Sequence, residues 1–588
     1  MNKTLFLIFT TLTFYSMSQV KLSKDFTLDA SKPFPVVDAK HKKYVTVADN
    51  KTISVKTDGE LVTIQGYDAT TMKETSRKVY EDFPKYAKVQ RIIQTKDALV
   101  YIFEAYNKAD KTFTIYSREI DVATGTFKES KTLFTTSRPV TNCGRDEDGR
   151  TPVSESDQRF LKLDGTKFDV YQSFDKSKVL IQYRVKPAEK SDAVNKDEIG
   201  FCVFDSKMGK LWAGEVKMPY TEKEMNNLAY TIDSEGNAYM LIYLNEKKKF
   251  ELLTIKNQKE VIQNPLDIDG KLVFQRFNLL EDKNGNITCA GYYANGYDVK
   301  VNWTGNSALS FNTNGIYCFK MTKDGEVSDV WNYEFPLDLI QQYNTEKEQE
   351  KIKSREEAGK AGIADLKMLE FVAQADGSYI IIGEQQYIRT EMVMTSTATV
   401  NHFGHVVITK INADGKVAWS KKLPKNQAYV TGDSYLPYAE GQLSIKYAEN
   451  NGDHYILFVD NPKNADLALN KVPAEHKNGA GGYLSAFKVS DADGTVERHT
   501  VAELENLDGI KAYQFQVTRI NNVADKTFLL EVYKKDKEDA MALNQVEIKK
   551  SCSNTRLFLL IIDYNRIQVL LLLLSNVITT NHEVNNNS

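Results

Sequence analysis

The sequence predicts an all-β fold, a β-propeller built from four-stranded blades. A two-part motif recurs roughly every 45 to 65 residues. One part is a pair of apolar runs around a tight polar turn, as in LLEDKNGNITCAGYY (279–293), and the other ends near an aromatic residue and often a proline, as in INADGKVAWSKKLP (411–424). Self-similarity at this period indicates one supersecondary unit copied many times, and four strands per unit indicate blades. The 31 Tyr and 28 Phe suit half-buried strands, and helical periodicity is scarce.

Counting the hairpins favours eight blades over seven. Inner hairpins are predicted at 44–58, 92–106, 171–185, 230–243, 279–293, 371–387, 445–460 and 517–533. Complete outer hairpins are predicted at 67–84, 120–134, 201–219, 253–268, 321–336, 411–424 and 487–504. The eighth unit has a third strand in 540–550 and then stops. Because an unclosed ring exposes two sheet edges, we expect VKLSKDFTL (20–28) to supply the missing strand of a shared blade.

The first residues have the features of an export signal. Lys3 supplies the positive start, LFLIFTTLTFY (5–15) the apolar core, and 16–18 a small-residue cleavage site. The alternative is a buried strand. We therefore expect a signal peptide at 1–18, a propeller domain at 19–550, and a protein that is periplasmic, secreted or displayed on the outer surface of a bacterial cell.

The end of the chain does not fit the repeat. Segment 556–578 is apolar, but Asp563, Asn565, Arg566 and Gln568 fall in its middle. Asp and Arg at a bilayer centre cost about 2.5 to 3.5 kcal/mol each, so no transmembrane span is expected. We interpret 551–588 as a poorly specified, disordered or out-of-frame tail, with a buried closing element and a membrane anchor as alternatives.

Charge and cysteine content exclude several classes of function. Lys plus Arg number 76 against 79 Asp plus Glu, so no positive field predicts nucleic-acid binding. The five cysteines form no CxxC or CxxCH, which excludes haem attachment and zinc-ribbon chemistry. Cys289 and Cys318 fall on neighbouring strands of one predicted blade, as free thiols or as a disulfide.

Three of the four tryptophans follow the glycine of an outer hairpin turn by a few residues: Trp212, Trp331 and Trp419. This D-x-x-x-G-K-x-x-W pattern, clearest from Asp205 to Trp212, resembles the blades of quinoprotein-like, WD40-like and related bacterial propellers, in which the tryptophan docks onto the next blade. The resemblance implies a fold and no cofactor. Quinone-dependent enzymes of that kind carry a vicinal cysteine pair, and none occurs here.

The long connections all fall in one kind of position. Turns within hairpins stay short, whereas the links between hairpins and between blades contain every long segment: 135–158, 186–199, 294–314, 337–363, 388–404 and 461–481. In a propeller these links share one face of the ring, and binding residues concentrate on loops held by a rigid scaffold. The alternative is that link positions merely tolerate insertions. Residues 344–360 within this set predict a charged helix, with pairs such as Glu356 and Lys360 at i,i+4.

Four residues in these links are candidates for partner binding. Tyr297 and Trp303 lie among asparagines, a composition suited to stacking on a sugar ring or gripping a peptide. His402 and His405 lie at a loop-to-strand junction without a neighbouring Asp or Glu in the sequence, so metal binding is not expected. The Asp-Gly fragments at 146–149, 267–270, 282–286 and 491–494 resemble parts of calcium loops but lack a distal Glu, and turn chemistry explains them.

No catalytic signature stands out. The chain has no G-x-S-x-G motif and no sialidase-type box. The sequence therefore favours an exported, non-catalytic propeller, without cofactor or metal, that binds a protein or polysaccharide through the link face. The alternatives are a carbohydrate-active hydrolase with its site in the central funnel, and a structural component of the cell surface.

Overall fold

A computed structural model describes the fold for residues 22–37, 39, 41–47, 51–141, 167–187, 189, 191–257, 260–266, 273–295, 297–301, 307–323, 325–393, 396–430, 443–450, 452–477, 481–515, 517, 520–524, 527–535 and 540–549. The predicted signal peptide and the tail from 551 onward lie outside these residues. The chain divides into two compact units, Met1–Ile548 and Lys549–Ser588. Of the second unit, only Lys549 is described.

The first unit is a propeller of eight blades, each a four-stranded antiparallel sheet at its core. The chain enters through β1 (Phe26–Ala30) and β2 (Phe34–Pro35). Blade 1 contains β3 (His41–Val47), β4 (Lys51–Asp58), β5 (Leu61–Asp68) and β6 (Glu74–Tyr80). Blade 2 contains β7 (Lys88–Gln94), β8 (Leu99–Asn107), β9 (Thr112–Asp121) and β10 (Thr126–Thr136). Blade 3 contains β11 (Asp169–Gln172), β12 (Lys178–Arg184), β13 (Lys196–Asp205) and β14 (Lys210–Thr221). Blade 4 contains β15 (Met225–Ile232), β16 (Ala238–Leu244), β17 (Lys249–Lys256) and β18 (Glu260–Leu266).

The second half of the ring carries the insertions. Blade 5 is built from β19 (Val273–Glu281), β20 (Ile287–Ala294), β23 (Gly315–Met321) and β24 (Val327–Glu334), and an inserted hairpin consists of β21 (Tyr297–Val301) and β22 (Ser307–Thr313). Then follow helices α1 (Leu337–Gln341) and α2 (Glu346–Glu356) and the short β25 (Ile363–Ala364). Blade 6 is built from β26 (Leu366–Ala373), β27 (Tyr379–Val393), β28 (Ser396–Ile411) and β29 (Val417–Leu423), with β30 (Gln427–Val430) beside it. Blade 7 is built from β31 (Lys446–Asn450), β32 (Asp453–Asp460), β34 (Tyr483–Val489) and β35 (Val496–Glu503), with β33 (His476–Lys477) between its hairpins.

Blade 8 joins the two ends of the propeller. Segment 514–548 supplies β36 (Gln514–Phe515), β37 (Asn521–Ala524), β38 (Thr527–Lys534) and β39 (Ala540–Ile548) to this blade. Its fourth strand is β1, which pairs antiparallel with β39 from Phe26↔Ile548 to Ala30↔Asn544. The prediction of eight blades closed by an N-terminal strand is therefore confirmed, although the paired residues begin later than the predicted segment 20–28.

Apolar layers hold the blades together, and the described residues form eight of them, one at each boundary. Successive residues of one strand enter different layers: Val100 and Ile102 of β8 face blade 3, whereas Tyr101 and Phe103 face blade 1. Side chains alternate across a strand, so a blade packed on both sides must be apolar on both faces. This accounts for the continuous apolar runs in the inner hairpins.

The boundary between blade 8 and blade 1 differs from the others. Its apolar layer has six buried hydrophobic residues, against 11 in the next smallest. A buried ion cluster lies beside it, in which the Glu531 carboxylate of β38 is 2.9 Å from Lys42 Nζ and 2.5 Å from Lys56 Nζ. The Tyr44 hydroxyl donates a hydrogen bond to the same carboxylate. The ring is thus closed partly by charge.

The tryptophans of the D-x-x-x-G-K-x-x-W pattern dock onto the following blade. The indole N–H of Trp212 in blade 3 donates to the carbonyl of Gly236 in blade 4 at 2.9 Å. Trp419 in blade 6 makes the equivalent bond to blade 7 at 3.0 Å. Trp331 in blade 5 lies against Gly415 of blade 6 so closely that a Cβ there would meet the indole at 1.6 Å. The packing that the resemblance implies is therefore present at all three positions.

The Asp-Gly and Asn-Gly fragments that are described serve as turns. In 282–286 the carboxylate of Asp282 accepts the backbone N–H groups of Asn284 at 2.8 Å and Asn286 at 2.9 Å. Gly285 adopts a φ of 78°, which strongly favours glycine. The fragments at 146–149 and 267–270 lie outside the described residues.

Cys289 and Cys318 are free, buried thiols. In the register of β20 and β23, Cys289 is opposite Phe319 and Cys318 is opposite Ala290. An offset of one residue places the two side chains on opposite faces of blade 5, and they enter different apolar layers. Burial raises the pKa of both thiols.

A buried carboxyl at the boundary of blades 2 and 3 makes stability depend on pH. Glu104 is 5% exposed, and one of its oxygens has no hydrogen-bond partner among the described residues. Burial raises its pKa to about 7, against a smaller opposing effect of Lys167 and Lys88. The folded protein thus retains a proton that the unfolded chain releases near pH 4.5.

We expect the free energy of unfolding to fall by up to about 3 kcal/mol as pH rises from about 4.5 to 7, because the folded state binds the extra proton in that window. Glu104→Gln should remove this component and be the more stable protein at pH 8. Urea unfolding of both proteins at several pH values measures the effect. The exposed Glu129→Gln on β10 is the control, and an unchanged pH profile in Glu104→Gln would contradict the assignment.

Candidate functional site

The two faces of the ring carry different connections. The turns inside each hairpin, such as 282–286, share one end of the strands, which we call the turn face. The links between hairpins and between blades emerge at the opposite end, which we call the link face. All six long segments of the sequence connect strands at this end, between β10 and β11, β12 and β13, β20 and β23, β24 and β26, β27 and β28, and β32 and β34.

The insertions of blades 5 and 6 are joined by backbone hydrogen bonds. Strand β22 pairs with β25 through Asn312↔Ala364 and Thr313↔Ile363. The next residue, Asp365, accepts the backbone N–H of Gln386 in β27 at 2.9 Å. The inserted hairpin of blade 5 is therefore connected through β25 to the base of the long hairpin of blade 6.

Blade 6 extends beyond the ring as a two-stranded ribbon, which we define as residues 386–393 of β27 and 396–403 of β28. Pairing between these strands continues without a break from Gln386↔Phe403 to Val393↔Ser396. Eight residues at about 3.3 Å each give a length of about 25 Å. Segment 388–404, which the sequence suggested was an inserted loop, is therefore a continuation of the blade's own hairpin.

Further strands support one side of the ribbon. Strand β30 pairs with β28 from Val400↔Val430 to Phe403↔Gln427, and β33 pairs parallel to β30. We call β21, β22, β25, the ribbon, β30 and β33 together the accessory layer. It draws on blades 5, 6 and 7, and two of the four sequence candidates, Tyr297 and His402, fall within it.

The helices lie beside this layer. Helix α1 is anchored by the buried Leu339 and Ile340, and Lys422 Nζ of β29 donates to the carbonyls of Ile340 at 3.1 Å and Gln342 at 2.8 Å. These bonds satisfy carbonyls at the end of α1 that have no helical partner. Helix α2, within the predicted 344–360, is capped by Thr345 and buries one residue. Its remaining surface is mostly exposed.

His402 lies on the ribbon in a small polar cluster. Its Nε2 is 2.7 Å from Glu391 Oε1, and its ring stacks on Tyr387 with 4.7 Å between centroids. The Arg389 guanidinium lies over the same Tyr387 ring, 4.3 Å from its centroid. Glu475 Oε2, beside β33, is 3.9 Å from His402 Nδ1. The cluster offers a cation, a carboxylate and an aromatic ring to a ligand.

The sequence did not identify three of these residues. Tyr387, Arg389 and Glu391 are brought to His402 by cross-strand register, which pairs Tyr387 directly with His402. Glu391 is 11 residues from His402 in the chain. His402 therefore has a neighbouring carboxylate in the structure, although it has none in the sequence. Alternation of residue types in YIRTEMV (387–393) is the signal that could have extended the hairpin.

His405 has a structural environment at the base of the ribbon. Its Nδ1 accepts the backbone N–H of Lys425 at 3.3 Å, and its ring lies 5.1 Å from that of Tyr343. Burial, together with Lys422 and Lys425, lowers its pKa well below the usual value for histidine. The imidazole is therefore neutral, as its acceptor role at Nδ1 requires.

A buried ion pair ties the ribbon to blade 7. Lys425 Nζ is 2.7 Å from Glu384 Oε1, and both side chains are 0% exposed. The same ammonium donates to the carbonyl of Phe403 at 2.8 Å and to Gln427 Oε1 at 2.7 Å. The Ser444 hydroxyl, in the link to blade 7, donates to the other Glu384 oxygen at 2.7 Å. This arrangement fixes the direction in which the ribbon leaves the ring.

The remaining candidates are only partly described. Tyr297 is the first residue of β21 and is paired with Phe311. Trp303 lies outside the described residues. The backbone of Tyr297 shares the accessory layer with His402, and His405 lies at the base of the ribbon.

One carboxylate pair on the link face has the composition of an acid-base site. Between blades 3 and 4, Arg184 bridges Asp197 and Glu222 at 2.7 Å to each, and Asn227 donates to Asp197 at 2.8 Å. Burial and a hydrogen bond with Asp197 raise the pKa of Glu222. The shared guanidinium holds both carboxylates in a closed ion cluster, which is an arrangement typical of structural sites.

Within the described ranges, no group of three or more His, Cys, Asp or Glu side chains could hold a metal ion. No helix in that part of the chain is long and apolar enough to cross a membrane.

Comparison with known proteins gives matches among solved structures, at low sequence identity. No family model matches the chain, and no curated protein matches it. Similar solved structures include the WD40 domain of SCAP from fission yeast, at 6% identity and a TM-score of 0.30, over 90% of this chain and 97% of that one. An uncharacterised protein of Listeria monocytogenes is similar at 9% identity and a TM-score of 0.32, over 76% and 91% of the two chains. An acylaminoacyl peptidase of Pyrococcus horikoshii is similar at 10% identity and a TM-score of 0.31, over 87% of this chain and 59% of the peptidase.

Proposed function

We propose that this protein is an exported, non-catalytic propeller that binds a protein or polysaccharide partner through the accessory layer of its link face. One observation carries the proposal: the insertions of blades 5, 6 and 7 are organised into a hydrogen-bonded layer on the face that receives every long link. Insertions that were merely tolerated would have no reason to pair with one another. Rigid scaffolds with elaborated loops on one side are typical of binding proteins.

The surface chemistry of the ribbon supports recognition rather than catalysis. Ile388 is 54% exposed, and Arg389 and Thr390 beside it are exposed. The Arg389 guanidinium stacked on Tyr387 suits a partner with acidic groups, since Arg and Tyr are enriched in binding hot spots, and Ile388 offers an apolar contact on the opposite face of the ribbon. The Asp197 and Glu222 carboxylates on this face share the Arg184 guanidinium in an ion cluster.

Shortening the ribbon tests this function. Residues 390–399 can be replaced by Asn-Gly, because Arg389 and Val400 are directly paired and a two-residue turn can connect them. Pairing of β28 with β30 begins at Val400 and is retained. A second variant replaces 298–310 of the inserted hairpin by Gly-Ser. We expect one or both variants to lose the bound partner while melting at a temperature close to that of the unaltered protein.

The full chain and both variants should be compared by pull-down from bacterial envelope extract and on a glycan array. The control is Lys416→Ala, an 82% exposed residue on the turn face of the same blade. Retention of every partner and glycan by both shortened proteins would reject the proposal. Cleavage of arrayed glycans, instead of their retention, would favour the hydrolase alternative.

A further inference from the structure

The outer edge of the ribbon is an unpaired strand edge. Strand β26 pairs with β27 only as far as Leu366↔Gln385, and Asp365 then accepts the N–H of Gln386. From 387 to 393, no described residue pairs with β27 on this side. The other edge of the ribbon, by contrast, is covered by β30 along 400–403.

Two observations establish which backbone groups point outward. Val393 and Ser396 are paired across two intervening residues, and the closing pair of a two-residue hairpin exchanges hydrogen bonds. Alternation then directs the N–H and C=O groups of 391, 389 and 387 toward β28, and those of 392, 390 and 388 outward. The N–H of Gln386, which donates outward to Asp365, agrees with this alternation.

Two features that usually protect an edge strand are missing here, although the edge carries the charges of Arg389 and Glu391. Segment YIRTEMV contains no proline and no lysine, and Ile388 is 54% exposed. Seven residues in extended conformation equal or exceed the length of a typical strand. Long, exposed edges with apolar residues are templates for pairing with another chain.

We propose that two copies of this chain associate through this edge, with β27 of each pairing antiparallel to β27 of the other about a two-fold axis at Thr390. In this register Arg389 lies directly opposite Glu391 of the partner subunit, and Glu391 opposite Arg389 of the partner subunit. Opposite charges at directly opposed positions stabilise antiparallel pairs. The contact is self-complementary, as a two-fold interface requires.

Other registers do not pair the two charges. Outward-pointing residues face one another for a two-fold axis at any residue of β27 from 387 to 392, and an axis at Arg389 or at Glu391 would place that residue opposite its own copy. An axis at Ile388 would place Arg389 opposite Tyr387, and an axis at Met392 would place it opposite residue 395, beyond the strand. Only the axis at Thr390 pairs both charges. Glu391 Oε1 contacts His402, and Oε2 has no hydrogen bond to another described residue.

The pairing would join the two ribbons into one continuous sheet that includes β28 and β30 of each subunit. It does not rest on the proposed partner binding, because the occupant is a second copy of the chain. Extended segments of other proteins could use the same edge, and the experiment separates that case from self-association.

A charge-swap series tests the register on the full chain. Light scattering coupled to size-exclusion chromatography, over a wide concentration series, should give twice the monomer mass at high concentration. Arg389→Glu and Glu391→Arg should each give a monomer, because two like-charged pairs then face one another. The double variant should recover the dimer, because it restores both opposite-charge pairs. Lys416→Ala on the turn face should behave as the unaltered protein does.

A cysteine experiment tests the axis independently. With Cys143 and Cys552 replaced by Ser, Thr390→Cys should form an intersubunit disulfide under mild oxidation, because directly opposed Cα atoms about 5.5 Å apart fit disulfide geometry. Ile388→Cys should not, because it lies opposite residue 392 of the partner. Thr390→Pro should abolish the dimer without disturbing the ribbon, since the N–H it removes points outward.

Three results would overturn the inference: a monomer at every concentration, a dimer that both single charge variants preserve, or cross-linking of Ile388→Cys in place of Thr390→Cys. Circular dichroism and thermal melting of each variant establish that it is folded. A monomeric protein that binds extended peptides at this edge would assign the edge to a different partner and reject the second copy as its occupant.

Discussion

Replacing Glu531 by Gln should lower the free energy of unfolding by about 3 to 5 kcal/mol, one of the two largest effects expected of a single substitution in this protein. The Glu531 side chain is 4% exposed and the Lys56 side chain 0%. Removing the carboxylate leaves a buried ammonium without its counter-ion, which is far more costly than losing a surface pair. The apolar layer at this boundary is the smallest of the eight, so little else compensates.

Acid should also lower the free energy of unfolding of the unaltered protein, because it protonates Glu531. Burial alone would raise the pKa of Glu531, but Lys56 and Lys42 outweigh it and lower the pKa to about 2. A carboxyl with a depressed pKa stabilises the fold above the pKa of the unfolded chain, near 4.5, and this stabilisation is lost as pH falls toward 2. The shift corresponds to about 3 kcal/mol. Glu531→Gln should lack this component.

Denaturant unfolding at pH 7 and at several acid pH values measures both effects. Glu547→Gln on the neighbouring β39 is the matched control, because that residue is exposed. A loss below about 1 kcal/mol in Glu531→Gln, the value of an ordinary surface pair, would show that the cluster does not hold the ring closed.

Replacing Lys425 by Met should cost a similar amount, about 3 to 5 kcal/mol, at the base of the ribbon. Glu384 would then remain as a fully buried carboxylate without its ammonium partner. The bonds from Lys425 to Phe403 and Gln427 would also be lost, which loosens the ribbon relative to blade 7.

The double variant Lys425→Met with Glu384→Met distinguishes charge from packing. Because it removes both charges, it should be more stable than Lys425→Met alone, despite the partners that Ser444 and Gln427 lose. Unfolding in denaturant of Lys425→Met, Glu384→Met and the double variant gives the three free energies. If the double variant loses the sum of the two single effects, the unpaired charge is not the cause.

The sequence does not predict these two ion clusters, although it does predict the ring of blades. Glu531 and Lys56 are 475 residues apart, and no pattern connects them. Glu384 and Lys425 are separated by an entire outer hairpin. Long-range ion pairs depend on which blades become neighbours and on which face each side chain points to, and neither is set by local residue order.

The candidate site shows the same division. The sequence located the link face, since the lengths of turns and links are local properties. It also selected His402, but it missed Glu391, Arg389 and Tyr387, because cross-strand register decides their neighbours. The sequence predicts an inserted loop at 388–404, whereas the structure has the ribbon there, whose strands continue those of blade 6. Tyr297 and Trp303 stay predictions.

The sequence by itself determined the repeating blade, and it favoured eight blades over seven with an N-terminal closing strand, because each depends on periodicity and on the count of strands. Docking of the three tryptophans onto the next blade is what the resemblance to quinoprotein-like and WD40-like propellers implies. The tertiary structure alone decided how the ring is sealed, how the insertions of three blades join, and which strand edge stays open. Those features depend on hydrogen bonds and charges between segments far apart in the chain, and such contacts exist only once the blades are placed side by side.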